Sequence, residues 1–373
     1  MDRRDFVLAL GGLSALPSQA GKAEQGGQVA GDSAAGSAPV FPPVLPGRTL
    51  EFPADHGAHP DFRTEWWYAT GWLRLPDGSP LGFQTTFFRV RTGVGESSAS
   101  AFAPRQIVLA HAALADPALG HLRHDQRSAR VGLGRAGFEV GNTRVWIGDW
   151  RLELRGGAYR AQVRSSSFAY ALNLVPAGPP MLNGRAGFSA KAPDARHASY
   201  YYSRPQLRVD GSVTLAGRSF AVTGQAWLDH EWSSELLPAS AQGWDWIGIN
   251  LDDGSALMAF RLRGPQAPAL WSAATLASPN GAAQTFPPEA VAFEPLAHWQ
   301  SPRTGIRYPV HWCVRVGPRV FTLQVLMPDQ ELDSRLSTGA IYWEGAVRLL
   351  EGGKEVGRGY LEMTGYGETI RLG

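Results

Sequence analysis

Three segments of this chain set tryptophan beside acidic residues: Glu65-Trp66-Trp67-Tyr68, Asp229-His230-Glu231-Trp232 and Trp244-Asp245-Trp246. Aromatic rings supply apolar area and a π-face that steadies a cation. A carboxyl buried among them keeps its proton more readily than in water. Together these residues suit a pocket that grips an apolar or unsaturated small molecule and protonates it. Side chains alternate faces along a strand. Glu65 and Trp67 therefore share one face, and Trp66 and Tyr68 the other. In the second segment, Ala226, Leu228, His230 and Trp232 share a face, and Trp227, Asp229 and Glu231 the opposite one. Which face turns inward depends on register. The alternative is an aromatic core with acids at its rim.

Other chemistries find little support. Three consecutive strand residues, as in Asp229-His230-Glu231, cannot all face one ion without a bulge. The remaining histidines show no ligand-like spacing, so neither a metal nor another cofactor is expected. His121 and His124 read as part of a solvated turn. No Gly-x-Ser-x-Gly elbow or Gly-rich phosphate loop occurs. Cys313 is the only cysteine. That excludes an intramolecular disulfide, and the thiol reads as a buried packing residue. With 35 basic and 33 acidic side chains, the net charge is only +2. That balance gives no case for nucleic acid as a partner.

The elements that must position the candidate residues are strands. From residue 48 onward, runs rich in Val, Leu, Phe, Trp and Tyr are separated by Gly, Pro, Asp and Asn. Two internal echoes suggest a tandem layout. Leu73–Leu81 matches Ile249–Leu257 at an offset of 176, and both read as strand, Asp-Gly turn, strand. Gly224–Asp229 matches Gly357–Glu362. The expected fold is all-β, with two tandem antiparallel barrels of residues 48–235 and 236–373. Small barrels of this kind hold one small ligand.

At the N-terminus, Arg3 and Arg4 precede a short apolar run from Phe6 to Leu16, with small residues after it. Residues 1–20 read as an export signal of the twin-arginine type, and residues 21–47 as a flexible tether. A periplasmic location is expected.

His59–Gly71, Ala198–Ser203 and Trp227–Trp232 resemble the AttH-like, lipocalin-like proteins, relatives of the carotenoid 1,2-hydratases. The resemblance spans roughly residues 48–370 and implies two successive lipocalin-like barrels. The hydratases use no cofactor; their site is thought to combine a His-x-Trp pair with a Tyr-x-Asp pair on a following strand. His230 and Trp232 match the first pair. The strand Leu257–Arg261 supplies neither residue of the second, leaving Asp229 or Asp245 as possible substitutes. The combined expectation makes His230, Asp229 and Trp232 catalytic, and Glu65, Trp66, Trp67, Tyr68, Tyr202 and Trp246 ligand-binding. The leading function is exported binding of a lipid or isoprenoid. The alternatives are a cofactor-independent hydratase or isomerase-cyclase, and an accessory partner of an inner-membrane ABC-type permease, which the resemblance implies.

Overall fold

The structure is a computed structural model that describes residues 40–265 and 269–369. The expected signal and the tether as far as residue 39 lie outside the described residues. The chain is nearly all-β and folds as two antiparallel sheets, one of thirteen strands and one of ten. One is a nearly closed barrel and the other a half-barrel. The tandem layout follows the sequence expectation. The last strand of the first sheet ends at Ser233 and the first strand of the second begins at Gly243.

Each unit opens on the hairpin marked by the internal echo. In one, Thr64–Arg74 pairs with Pro80–Arg91, with Leu73 opposite Leu81. In the other, Gly243–Leu251 pairs with Ala256–Arg263, with Ile249 opposite Leu257. The turns share one chemistry. Gly78 and Gly254 take φ of 88° and 86°, a region that disfavours side chains. Asp77 and Asp253 each accept the amide of the serine two residues on, at 2.9 Å. The closing strands, Arg218–Ser233 and Lys354–Met363, return to pair with these opening strands. Gly224 sits opposite Leu73, and Gly357 opposite Leu251. The shift of two residues between units leaves every side chain on its equivalent face.

The opening and closing strands are buried on both faces. Trp67, Ala69, Leu73, Ala226 and Leu228 point into the first barrel and join its core. Tyr68, Trp72 and Trp227 point outward and pack against Trp246, Met258, Phe260 and Tyr360 of the second sheet. Two-sided burial explains why these segments read as nearly continuous apolar runs rather than alternating ones.

Three expectations need correction. Val44 is buried against Phe62 and Trp232, and Tyr200 Oη donates to the Leu45 carbonyl at 3.0 Å. The expected tether therefore does not extend to residue 47; its apolar end docks on the first unit. Residues His121–Arg130 form a strand, not a turn. They are polar because they sit at a sheet edge. Cys313 is only partly buried, since Trp312 and Val314 take the core face of the Arg307–Val316 strand.

Candidate functional site

Alternation along Thr64–Arg74 and Arg218–Ser233 sorts the candidate residues into two places. Glu65, Trp67, Tyr202, His230 and Trp232 turn to the inner side of the first barrel. Trp66, Tyr68, Asp229 and Trp246 line a cavity between the two sheets. Asp229 and His230 are neighbours in sequence but sit on opposite faces of one strand, so they do not act on the same molecule.

The inner set forms a closed ionic network. Glu65 is fully buried, and Arg89 Nε donates to its Oε2 at 2.8 Å. His59 Nδ1 and His230 Nε2 each lie 2.8 Å from Oε1. Burial would raise the carboxyl pKa, but Arg89, His230 and His59 together hold it well below the usual range. His59 also reaches Asp55 through Nε2 at 2.9 Å. Both its nitrogens face carboxylates. Although burial opposes it, Asp55 and Glu65 raise its pKa, so it is held as an imidazolium. Its ring stacks on Trp232 at 3.7 Å and 7°. His230 stacks on Trp67 at 4.8 Å, and burial lowers its pKa. Its Nδ1 lies 3.1 Å from Tyr202 Oη.

His59, Glu65 and His230 also bring three potential metal ligands within 4.8 Å of one another, a grouping that no sequence spacing announced. It does not suit an ion. Both imidazole nitrogens are already committed to Glu65, and the Arg89 guanidinium on the same carboxylate would repel a cation. This set reads as structure. Asp245, the other proposed substitute acid, also faces away from the cavity. It is fully buried and bound by Arg261 at 2.6 Å, Arg263 at 3.3 Å and Tyr366 Oη at 2.9 Å.

The cavity between the sheets has a volume of about 1110 Å³. Trp66, Trp244, Trp246, Phe88 and Phe260 supply its aromatic wall. Six acids line it, Glu65, Asp229, Glu231, Glu344, Glu362 and Glu368, and three of them, Asp229, Glu344 and Glu362, combine raised pKa values with no cation partner among the described residues. Asp229 Oδ1 accepts from Trp227 Nε1 at 2.6 Å and Ser203 Oγ at 2.5 Å; its Oδ2 accepts from Tyr201 Oη at 2.8 Å. Burial outweighs these three bonds and pushes its pKa up to about 7. Glu362 accepts from Trp244 Nε1 at 3.1 Å, and burial pushes it up to about 7. Glu344 stands directly opposite Glu362 across a strand pair and accepts a bond from Tyr68 Oη of the first sheet. Burial and the neighbouring Glu362 raise it well above the usual range. No Lys, Arg or His lies within ion-pair distance of these three carboxyls among the described residues. Buried carboxyls without a cation hold their protons.

Sequence reasoning found Asp229 but missed Glu344, Glu362, Tyr201 and Lys191. Two of these carried a signal. The second echo pairs Asp229 with Glu362, and the fold brings both to one cavity. Glu344 follows Tyr342-Trp343, the same juxtaposition of aromatic and acid that singled out Glu65.

The AttH-like family model matches residues 43–366. A Nitrosomonas europaea protein described as an AttH shares 50% identity, covering 87% of this chain and all of its own, with a TM-score of 0.82. Kievitone hydratase from Nectria haematococca has 14% identity over 88% of this chain and 96% of its own, with a TM-score of 0.66. CghA, solved with Sch210972, has 15% identity over 83% of this chain and 89% of its own, with a TM-score of 0.53. These last two likenesses are of fold. No curated protein matches by sequence. Matched by the family model over most of its length, the chain belongs to the AttH-like family.

Proposed function

We propose that the cavity between the sheets binds an apolar, unsaturated small molecule, a lipid or isoprenoid, and that its buried carboxylic acids act on it as general acids without a cofactor. The observation that carries this reading is the set of three carboxyls, Asp229, Glu344 and Glu362, on an aromatic cavity wall, with no cation within ion-pair distance of any of them among the described residues. A carrier needs only apolar area. Burying Asp229 and Glu344, with Glu362 half-buried beside them, costs stability and is explained by a need for protons in a dry site. The arrangement supports simple bookkeeping. A wall carboxyl gives its proton to one alkene carbon, whose π electrons form the new C–H bond. The adjacent carbon becomes cationic and faces indole π-systems. Water then adds there and returns a proton to the carboxylate, or the neighbouring carbon loses one. The first outcome is hydration and the second isomerisation. The hydratase among the structural relatives is consistent with this chemistry but lends only its fold. The arginine pair near the N-terminus supports placing the work in the periplasm.

Native mass spectrometry of the protein from its own cells, with extraction of bound molecules, tests the binding step. A stoichiometric apolar adduct supports the reading. Incubating the extracted molecule with protein in D₂O then tests chemistry, through deuterium on carbon. Binding without incorporation reduces the function to carriage.

A further inference from the structure

The cavity wall also carries a lysine that this proton chemistry does not use. Lys191 follows the short Phe188–Ala190 strand and is 7% exposed. Lysine is almost never buried to that degree unless paired. Its Nζ lies 2.8 Å from Glu231 Oε1 and donates to Ser189 Oγ at 3.0 Å. Ser199 Oγ donates to the same Glu231 oxygen. An ammonium has three N–H donors, and two are placed. No third acceptor lies within hydrogen-bond distance among the described residues. The Nζ sits 4.4 Å from the centre of the Phe260 ring and 5.1 Å from that of Tyr201, both on the cavity wall.

Charge narrows what that donor can take. The Lys191 charge is already matched by Glu231 at 2.8 Å, and the arginines elsewhere on the cavity wall, Arg63, Arg89, Arg91, Arg303 and Arg335, form no ion pair with Glu231 among the described residues. An anionic ligand at the free N–H would bring a second carboxylate beside Glu231 to share one ammonium. A neutral oxygen takes the free N–H without that repulsion. A carbonyl oxygen does so without bringing a donor of its own into an apolar wall.

We infer that Lys191 is the polar anchor of the cavity, and that the molecule bound there is an apolar polyene or isoprenoid bearing a neutral carbonyl rather than a carboxylate. The inference rests on the cavity reading above and adds the ligand's polar end to it. It also makes Lys191 a specificity residue, distinct from the acids that move protons.

Three probes with one polyene skeleton test it by quenching of tryptophan fluorescence: methyl retinoate, retinoic acid and axerophthene, the hydrocarbon without oxygen. In the native protein, methyl retinoate should bind roughly tenfold or more tightly than axerophthene, the range for a hydrogen bond to a charged group. Retinoic acid at pH 8 should bind more weakly than its ester. Lys191→Met should bring methyl retinoate down to the affinity of axerophthene, which itself stays within about twofold. If the single variant does not fold, Lys191→Met with Glu231→Gln removes both charges and should give the same pattern. An ester preference that survives loss of Lys191, or retinoic acid as the tightest ligand, overturns the inference while leaving the cavity reading intact. If none of the three binds the native protein, the cavity reading fails and the inference goes with it.

Discussion

Replacing Glu65 with alanine tests the division between structural and functional acids. Glu65 and Arg89 are both fully buried and 2.8 Å apart. Alanine removes the carboxylate and leaves Arg89 Nε without an acceptor. Breaking a buried ion pair from one side costs about 3–5 kcal/mol, because the remaining charge is uncompensated. Two features set where in that range the loss falls. The other guanidinium nitrogens keep Gln106 Oε1 and the His59 carbonyl, each at 3.0 Å, which favours the lower end. His59 and His230 lose an acceptor as well, which adds about 1 kcal/mol each. A loss of about 5 kcal/mol is therefore expected, read from urea unfolding at pH 7 by tryptophan fluorescence. Glu65→Gln with Arg89→Met removes both charges and should recover more than half of the loss. Glu65 is among the residues lining the cavity, but its carboxylate is turned to His59, Arg89 and His230, so ligand affinity of the folded single variant should stay within a few-fold. A stability loss below about 1 kcal/mol would place this network with exposed pairs of little energetic weight. A collapse of affinity with the fold intact would refute the separation of the two sites.

Three further expectations follow from the cavity groups. His111 bonds to Tyr342 Oη at 2.7 Å and Ser337 Oγ at 2.8 Å across the sheets, and burial lowers its pKa to about 3. Below about pH 6.5 the unfolded chain takes up a proton that the folded chain refuses. Stability should therefore fall towards about pH 3, and His111→Gln should flatten that fall in acid unfolding curves. Asp229 has the opposite sign. Its folded pKa of about 7 exceeds the unfolded one, so its contribution is full below about pH 4 and declines as pH rises to about 7. Asp229→Asn should remove that part of the slope and abolish deuterium incorporation while retaining ligand binding. Tyr68→Phe deletes the bond from the first sheet to Glu344 and should cost about 1–2 kcal/mol in urea unfolding; no change would mean that this bond adds nothing to the contact between the two sheets.

The fold was largely legible because its hairpins carry local chemistry. Asp77-Gly78 and Asp253-Gly254 specify turns, and the echo around them marks each unit. The edge strand His121–Arg130 was not legible, since an edge needs no apolar alternation. The site was half legible. Adjacency of aromatics and acids picked out Trp66, Tyr68, Asp229 and Trp246, all on the cavity. It also picked out Glu65, Trp67, Tyr202, His230 and Trp232, which face the other way. Period-two alternation separated these groups from the start, but pairing alone decides which face looks where. Lys191 lay beyond reach, because only the docking of Phe188–Ala190 beside Ala198–Leu215 brings it to Glu231.

The most direct test of the central claim is a crystal structure of the protein with methyl retinoate bound. The account predicts polyene density between the two sheets, against Trp66 and Trp246, with its chain beside Asp229 and its carbonyl oxygen at Lys191. Density inside the first barrel, beside Trp67 and His230, would contradict it.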